Sequence, residues 1–231
     1  MLLVNVKENL SRIEQEIQAA CNRSGRDRSD VHIIAVTKYV TTDRALEAVD
    51  AGIRHIGENR LQGALEKWET CRGQAFLHFI GSLQSKKVKD IVDKYDYFHS
   101  LDRLGLAREF QKRSPDNHVV PCMVQVNVSG EDSKAGVAPQ DLEGFIADLK
   151  EYPAVQVVGL MTMAPFEEDP EQTRPVFRKL RELRDDIQKQ QHPHAPCHHL
   201  SMGMSNDFAV AVEEGATFVR IGTDLVGSRH G

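Results

Sequence analysis

A chain of 231 residues with 40% hydrophobic and 27% charged side chains has enough apolar material for a full core, a balance that excludes a disordered segment. The net charge of −5 and the pI near 6.1 argue against a non-specific nucleic-acid binder, which carries a basic excess. No apolar run approaches the roughly 20 residues that span a bilayer, and the charge-dotted N-terminus lacks a signal-peptide core.

The four cysteines, Cys21, Cys71, Cys122 and Cys197, form no C-x-x-C pair, so neither a disulfide frame nor a zinc site is expected. The expectation is a reduced cytoplasmic protein with no nucleic-acid or membrane partner.

In chain order, a helix is predicted over residues 2–22, followed by strands at 32–37, 54–57, 77–81, 97–100, 122–128, 156–161, 198–202 and 217–221. Runs such as HIIAVT, CMVQVNV and VQVVGLM are apolar on consecutive residues, as in strands buried on both faces of a parallel sheet. Helical spacing follows: Ala45, Val49 and Ile53 after the first strand, and Val88, Ile91 and Val92 after the third. Leu142, Phe145, Ile146 and Leu149 come after the fifth, and Phe177, Leu180, Leu183 and Ile187 after the sixth. Eight strand-then-helix units average about 29 residues each, close to the length of repeated βαβ units. With no Pro-, Gly- or Ser-rich linker, residues 1–231 read as one domain, a single α/β barrel of the (β/α)8 TIM type with an extra N-terminal helix.

Chemistry in such barrels gathers at the carboxyl ends of the strands. The first strand runs into Lys38. Partial desolvation there makes an amine a nucleophile toward an aldehyde, although on position alone a lysine snorkelling out of the strand is the plainer reading. The second ends in Gly57-Glu58-Asn59, and the third in His78-Phe79-Ile80-Gly81-Ser82-Leu83-Gln84. The seventh gives Ser201-Met202-Gly203-Met204-Ser205 and the eighth Arg220-Ile221-Gly222-Thr223. Glycine-and-hydroxyl turns that start helices seat phosphate through backbone N–H groups and the helix dipole, and barrels often place phosphate after strands seven and eight. Arg220, within the last strand, has two readings: a structural Arg–Asp pair, or a donor to the nitrogen of a pyridine ring lying toward Lys38.

These blocks, with Gly159-Leu160-Met161 and Asn206-Asp207, together resemble the pyridoxal phosphate homeostasis proteins, which are related to the N-terminal barrel of alanine racemase. The resemblance runs from the first strand to the C-terminus. It implies that pyridoxal 5'-phosphate is held in Schiff-base (aldimine) linkage by Lys38, with phosphate around Ser201, Gly222 and Thr223 and Arg220 facing the ring nitrogen. It implies further that Asn59, His78, Gly203 and Met204 line the pocket. One block departs: the family's Gln-x-Asn-Lys reads Gln84-Ser85-Lys86-Lys87 here, so the basic residue persists and the amide does not. Lys134, in a loop that also resembles the family's, is read either as assisting phosphate capture or as a solvated loop lysine.

Other clusters are discounted. His192-Pro-His194-Ala-Pro-Cys197-His198-His199 matches no zinc spacing and precedes strand seven, at the end of the barrel away from chemistry. The acidic run 166–171 reads as a solvated loop, and the charges of 178–186 as the outer face of a helix.

The leading expectation is a carrier of pyridoxal phosphate in vitamin B6 and amino-acid homeostasis, with PLP-dependent apo-enzymes as partners and no catalytic residues. A racemase-like enzyme is the alternative. It needs a second proton-transfer group opposite the lysine, and Tyr39, adjacent to Lys38 in sequence, is badly placed to be one. A third class, an interaction protein that keeps only an ancestral pocket, would show no bound cofactor. No second, racemase-type domain is read in the chain, and a monomer is expected.

Overall fold

The computed structural model describes residues 5–116, 118–131 and 135–227. Helix α1 (Val6–Ser24) starts after Asn5, whose side chain accepts from the Glu8 amide and satisfies one unpaired donor of the first turn. It ends at Gly25, whose positive φ of 68° lets its N–H turn back onto the Cys21 carbonyl. Val6, Leu10, Ile13, Ile17, Ala20 and Cys21 recur in steps of one, three or four residues, and all are buried.

Eight parallel strands follow: β1 (His32–Val36), β2 (His55–Glu58), β3 (Phe76–Phe79), β4 (Tyr97–Leu101), β5 (Val120–Gln125), β6 (Val155–Met161), β7 (His199–Met204) and β8 (Phe218–Ile221). Each pairs with the next, and β8 pairs back with β1, so the barrel closes and no sheet edge is left. The alternating helices are α2 (Thr42–Asp50), α3 (Leu61–Cys71), α4 (Leu104–Arg113), α5 (Leu142–Asp148), α6 (Arg174–Lys189), α7 (Phe208–Glu213) and α8 (Thr223–Val226). Helix α1 packs against α7 and α8, and Asn9 Nδ2 donates to the Leu225 carbonyl, tying the first helix to the last. The closed (β/α)8 barrel with an extra N-terminal helix is therefore the architecture that the apolar runs predict.

Two expectations change. After β3 the connection is a 3-10 helix, Ser85–Asp90, rather than an α-helix. Val88, Ile91 and Val92 still bury, but a segment this short favours the tighter winding. Strand β5 stops at Gln125, not 128, because the chain turns outward to bond its own loop. Val137 N–H donates to Gln125 O, and Asn127 N–H to Val137 O.

Most apolar side chains pack between the barrel and its helices. Inside the barrel, Ile34, Met123, Met161 and Phe218 form a smaller cluster with Tyr97 and Val158. Fully or nearly fully buried polar side chains share that interior, among them His55, His78, His99, Ser201 and Arg220.

Candidate functional site

Lys38 does not close β1. It sits two residues beyond the strand, in an exposed turn, its Nζ 4.8 Å from the centre of the adjacent Tyr39 ring. The expected desolvation is absent, and the turn is instead braced from below. Thr37 N–H donates to Gly57 O at 3.0 Å, and Thr37 Oγ1 to Glu58 Oε1 at 2.5 Å. Lys67 Nζ donates to Val40 O at 3.0 Å and lies 4.0 Å from Glu58 Oε1. Glu58 and Lys67 are both buried, and burial pushes the Glu58 carboxyl up, partly countered by Thr37 and Lys67. This bracing escaped the sequence reading, which noted Glu58 only within the Gly57-Glu58-Asn59 strand end and did not single out Lys67, because their burial and pairing are set by tertiary packing.

Below the mouth lies Arg220, 5% exposed. Its Nη1 donates to Ser201 Oγ at 2.5 Å and its Nη2 to Thr162 O at 2.9 Å. Burial pushes Arg220 down to about 10, while the charge of Asp207 opposes that shift, so the guanidinium is protonated at neutral pH. Among the described residues no carboxylate bonds to it, which removes the structural Arg–Asp pair as its explanation.

Two sequence-predicted residues move from the mouth into the interior. Ser201 is fully buried beneath the turn that follows β7, its hydroxyl engaged by Arg220 and His99. His78 is fully buried between His55 and His99 and stacks on Tyr97 at 4.6 Å. Both follow from register: in a strand alternate residues face the barrel axis, and these two face inward below the rim. Gly203 has a packing role, since at its φ of 92° a Cβ would come within 2.6 Å of Ala211 Cβ. It lets α7 lie close to β7.

Asn59, Met204, Gly222 and Thr223 do stand at the mouth. Asn59 Oδ1 is buried with no partner among the described residues, an acceptor whose desolvation they leave uncompensated. Met204 is 40% exposed. The turn it starts is pinned by Asp207, whose Oδ1 accepts from Met204 N–H at 2.7 Å and whose N–H donates to Met204 O at 3.0 Å. Ser205 is the half-buried hydroxyl of that turn. At Gly222 φ is negative, and a Cβ would rest in ordinary van der Waals contact with Val36 at 3.6 Å, so neither strain nor a clash requires glycine there. Helices α7 and α8 span only six and four residues, so summed peptide dipoles add little, and the individual N–H groups are what these turns offer. Lys86 is exposed in the 3-10 helix after β3, and Lys134 lies outside the described residues.

The residues fit an anionic, aldehyde-bearing aromatic group: an amine at one side of the mouth, glycine-and-hydroxyl turns opposite, a buried cationic donor beneath, and an unpaired acceptor at the rim. The class of this barrel is confirmed by comparison: the family described as "Alanine racemase, N-terminal domain" matches residues 9–230. A pyridoxal phosphate homeostasis protein of Aquifex aeolicus is 46% identical over 228 residues, covering 98% of this chain and 99% of that one. One from Pseudomonas aeruginosa is 38% identical over 227 residues, covering 97% and 96%. The structure of PipY of Synechococcus elongatus with PLP bound superposes with a TM-score of 0.81 at 33% identity, covering 96% of this chain and 100% of PipY. The chain belongs to the pyridoxal phosphate homeostasis protein family.

Proposed function

We propose that this protein binds pyridoxal 5'-phosphate at the C-terminal mouth of its barrel, with Lys38 as the covalent anchor, and serves intracellular vitamin B6 and amino-acid homeostasis as a carrier. Bound there, the cofactor supplies an electrophilic aldehyde and an electron-withdrawing pyridine ring. The observation that carries the reading is Arg220, a buried guanidinium without a carboxylate, on the strand that leads into the Gly222–Thr223 turn. Its free donor capacity suits the ring nitrogen. Backbone N–H groups of Gly222–Thr223 and of Ser205–Asn206, with the hydroxyls of Ser205 and Thr223, suit the phosphate. Asn59 and Met204 flank the ring.

A guanidinium donates and does not give up its proton near neutral pH, so it keeps a pyridine nitrogen it faces unprotonated and weakens the ring's pull on electrons. Retention is thereby favoured over turnover. Tyr39 stacks beside Lys38 on the same turn, so it does not supply a base from the opposite face. PLP-dependent apo-enzymes are the partners such a carrier would load.

The test is absorbance titration with pyridoxal phosphate, followed by borohydride reduction and peptide mass mapping. Wild type should take up the cofactor, turn yellow and carry the reduced adduct on Lys38, and Lys38→Ala should carry none. An unlabelled wild type at saturating cofactor, or an adduct at another lysine, overturns the reading. Incubation with single-enantiomer alanine should give negligible racemisation, and brisk turnover would restore the racemase-like alternative.

A further inference from the structure

Branched aliphatic residues dominate the interior of most barrels of this kind. Here His55, His78 and His99 lie on successive strands, and each ring bonds the next. His55 Nδ1 and His78 Nε2 are 2.9 Å apart, as are His78 Nδ1 and His99 Nε2, and His99 Nδ1 and Ser201 Oγ. Ser201 Oγ then accepts from Arg220 Nη1. The string begins at the N-terminal end of the barrel, where His55 is 8% exposed, and ends at the guanidinium below the mouth.

A neutral imidazole has one N–H and one bare nitrogen. Both nitrogens of His78 and of His99 belong to the string, so the direction of one bond sets all the others. Arg220 only donates; Ser201 therefore accepts from it and has one hydrogen of its own to give. Among the described residues, the partners of Ser201 Oγ are Arg220 and His99, so that hydrogen goes to His99 Nδ1. His99 Nε2–H then donates to His78 Nδ1, and His78 Nε2–H to His55 Nδ1. The opposite direction strands the Ser201 hydrogen in a buried site.

We propose that Ser201, His99, His78 and His55 are positioning residues that aim Arg220 at the pyridine nitrogen of the bound cofactor, through a single string of Nε2–H tautomers that only neutral rings can form. This rests on the reading of Arg220 given under Proposed function. An added proton must go to an Nδ1 that is already accepting, which sets N–H against N–H and breaks the string. The titratable groups facing it are His32 on β1, Tyr97 on β4, His199 on β7, Arg220 on β8 and Asp207 beyond β7. Strands β1, β5 and β6 also present Ile34, Met123 and Met161, which carry no charge. Burial and the neighbouring imidazoles hold His55 and His78 below the ordinary imidazole range, and burial and Arg220 do so for His99, so the string is complete at neutral pH.

The experiment has two arms. In histidine-15N-labelled protein without cofactor at pH 7.5, His55, His78 and His99 should all be Nε2–H tautomers; a mixture, or Nδ1–H at His78, overturns the proposal. In pyridoxal phosphate titrations, His55→Leu should weaken affinity between about twofold and tenfold, the worth of one net hydrogen bond, and shift the visible band. His55→Asn should recover most of this, because its amide oxygen can accept where Nδ1 did. Equal affinities for wild type, His55→Leu and His55→Asn overturn the proposal. Failure of wild type to take up the cofactor overturns instead the reading of Arg220. Should His55→Leu not fold, the tautomers of the wild type decide.

Discussion

At the mouth of the barrel polar groups are left with capacity to spare, whereas in the interior beneath they answer one another. Asn59 Oδ1 is buried with no partner among the described residues, and Lys38 stands exposed above its braced turn. A few ångströms lower, each imidazole of the central string meets a neighbour at 2.9 Å. Unspent hydrogen-bonding capacity marks the end proposed to bind the cofactor, and cavity size does not. The cleft at the opposite end, among Trp68, Arg72 and Lys94, holds about 630 Å³, against about 210 Å³ beside Lys38. Trp68 there already carries Arg72 and Lys94 over its ring.

The comparison can be broken most severely at Arg220, where the two regions meet. Arg220→Glu sets a carboxylate against the Thr162 carbonyl and leaves it buried and unpaired. Chemical denaturation should show a loss of about 3–5 kcal/mol, and titration should show cofactor affinity falling with it. An unchanged visible band and affinity would remove Arg220 from the ring nitrogen.

Gly203→Ala tests whether that glycine serves packing instead of binding. The clash with Ala211 and the positive φ should cost about 2–5 kcal/mol by denaturant titration. The folded fraction should keep its affinity for pyridoxal phosphate.

Acid should separate the regions by pH. Burial holds His55 and His199 down to about 4, against an ordinary 6.5. Between those values the unfolded chain binds protons that the folded barrel refuses, so stability falls as pH drops from about 6.5 toward 4 and is unaffected above. The slope is about 1.4 kcal/mol per pH unit for each such histidine, measurable as thermal midpoints across a pH series. A flat profile would place these imidazoles in water.

The smallest effect is expected at the brace. Thr37→Val removes the hydrogen bond to Glu58 while keeping shape, with a loss of about 1 kcal/mol and slower formation of the Lys38 adduct after stopped-flow mixing. Adduct formation at the wild-type rate would show that the brace does not position Lys38.

Much of the barrel was legible in the sequence because parallel strands buried on both faces must be apolar on consecutive residues, and HIIAVT and VQVVGLM have that form. The residue types of the mouth were legible for a related reason: glycine, hydroxyl and lysine at the ends of apolar runs interrupt the pattern that burial demands. The sequence by itself therefore determined the fold class, the end of the barrel to search and the family. Tertiary structure decided what each polar residue does. Ser201 and His78 fall in the same blocks as Met204 and Ser82, yet the pleat turns the first two inward, into the string below Arg220. Which of two alternating residues faces the axis depends on register and strand tilt, and a one-residue shift reverses it. The brace of Thr37, Glu58 and Lys67 joins residues up to 30 positions apart, just past β1, on β2 and on α3, and the pairing of β1 with β2 and the packing of α3 on β2 bring them together.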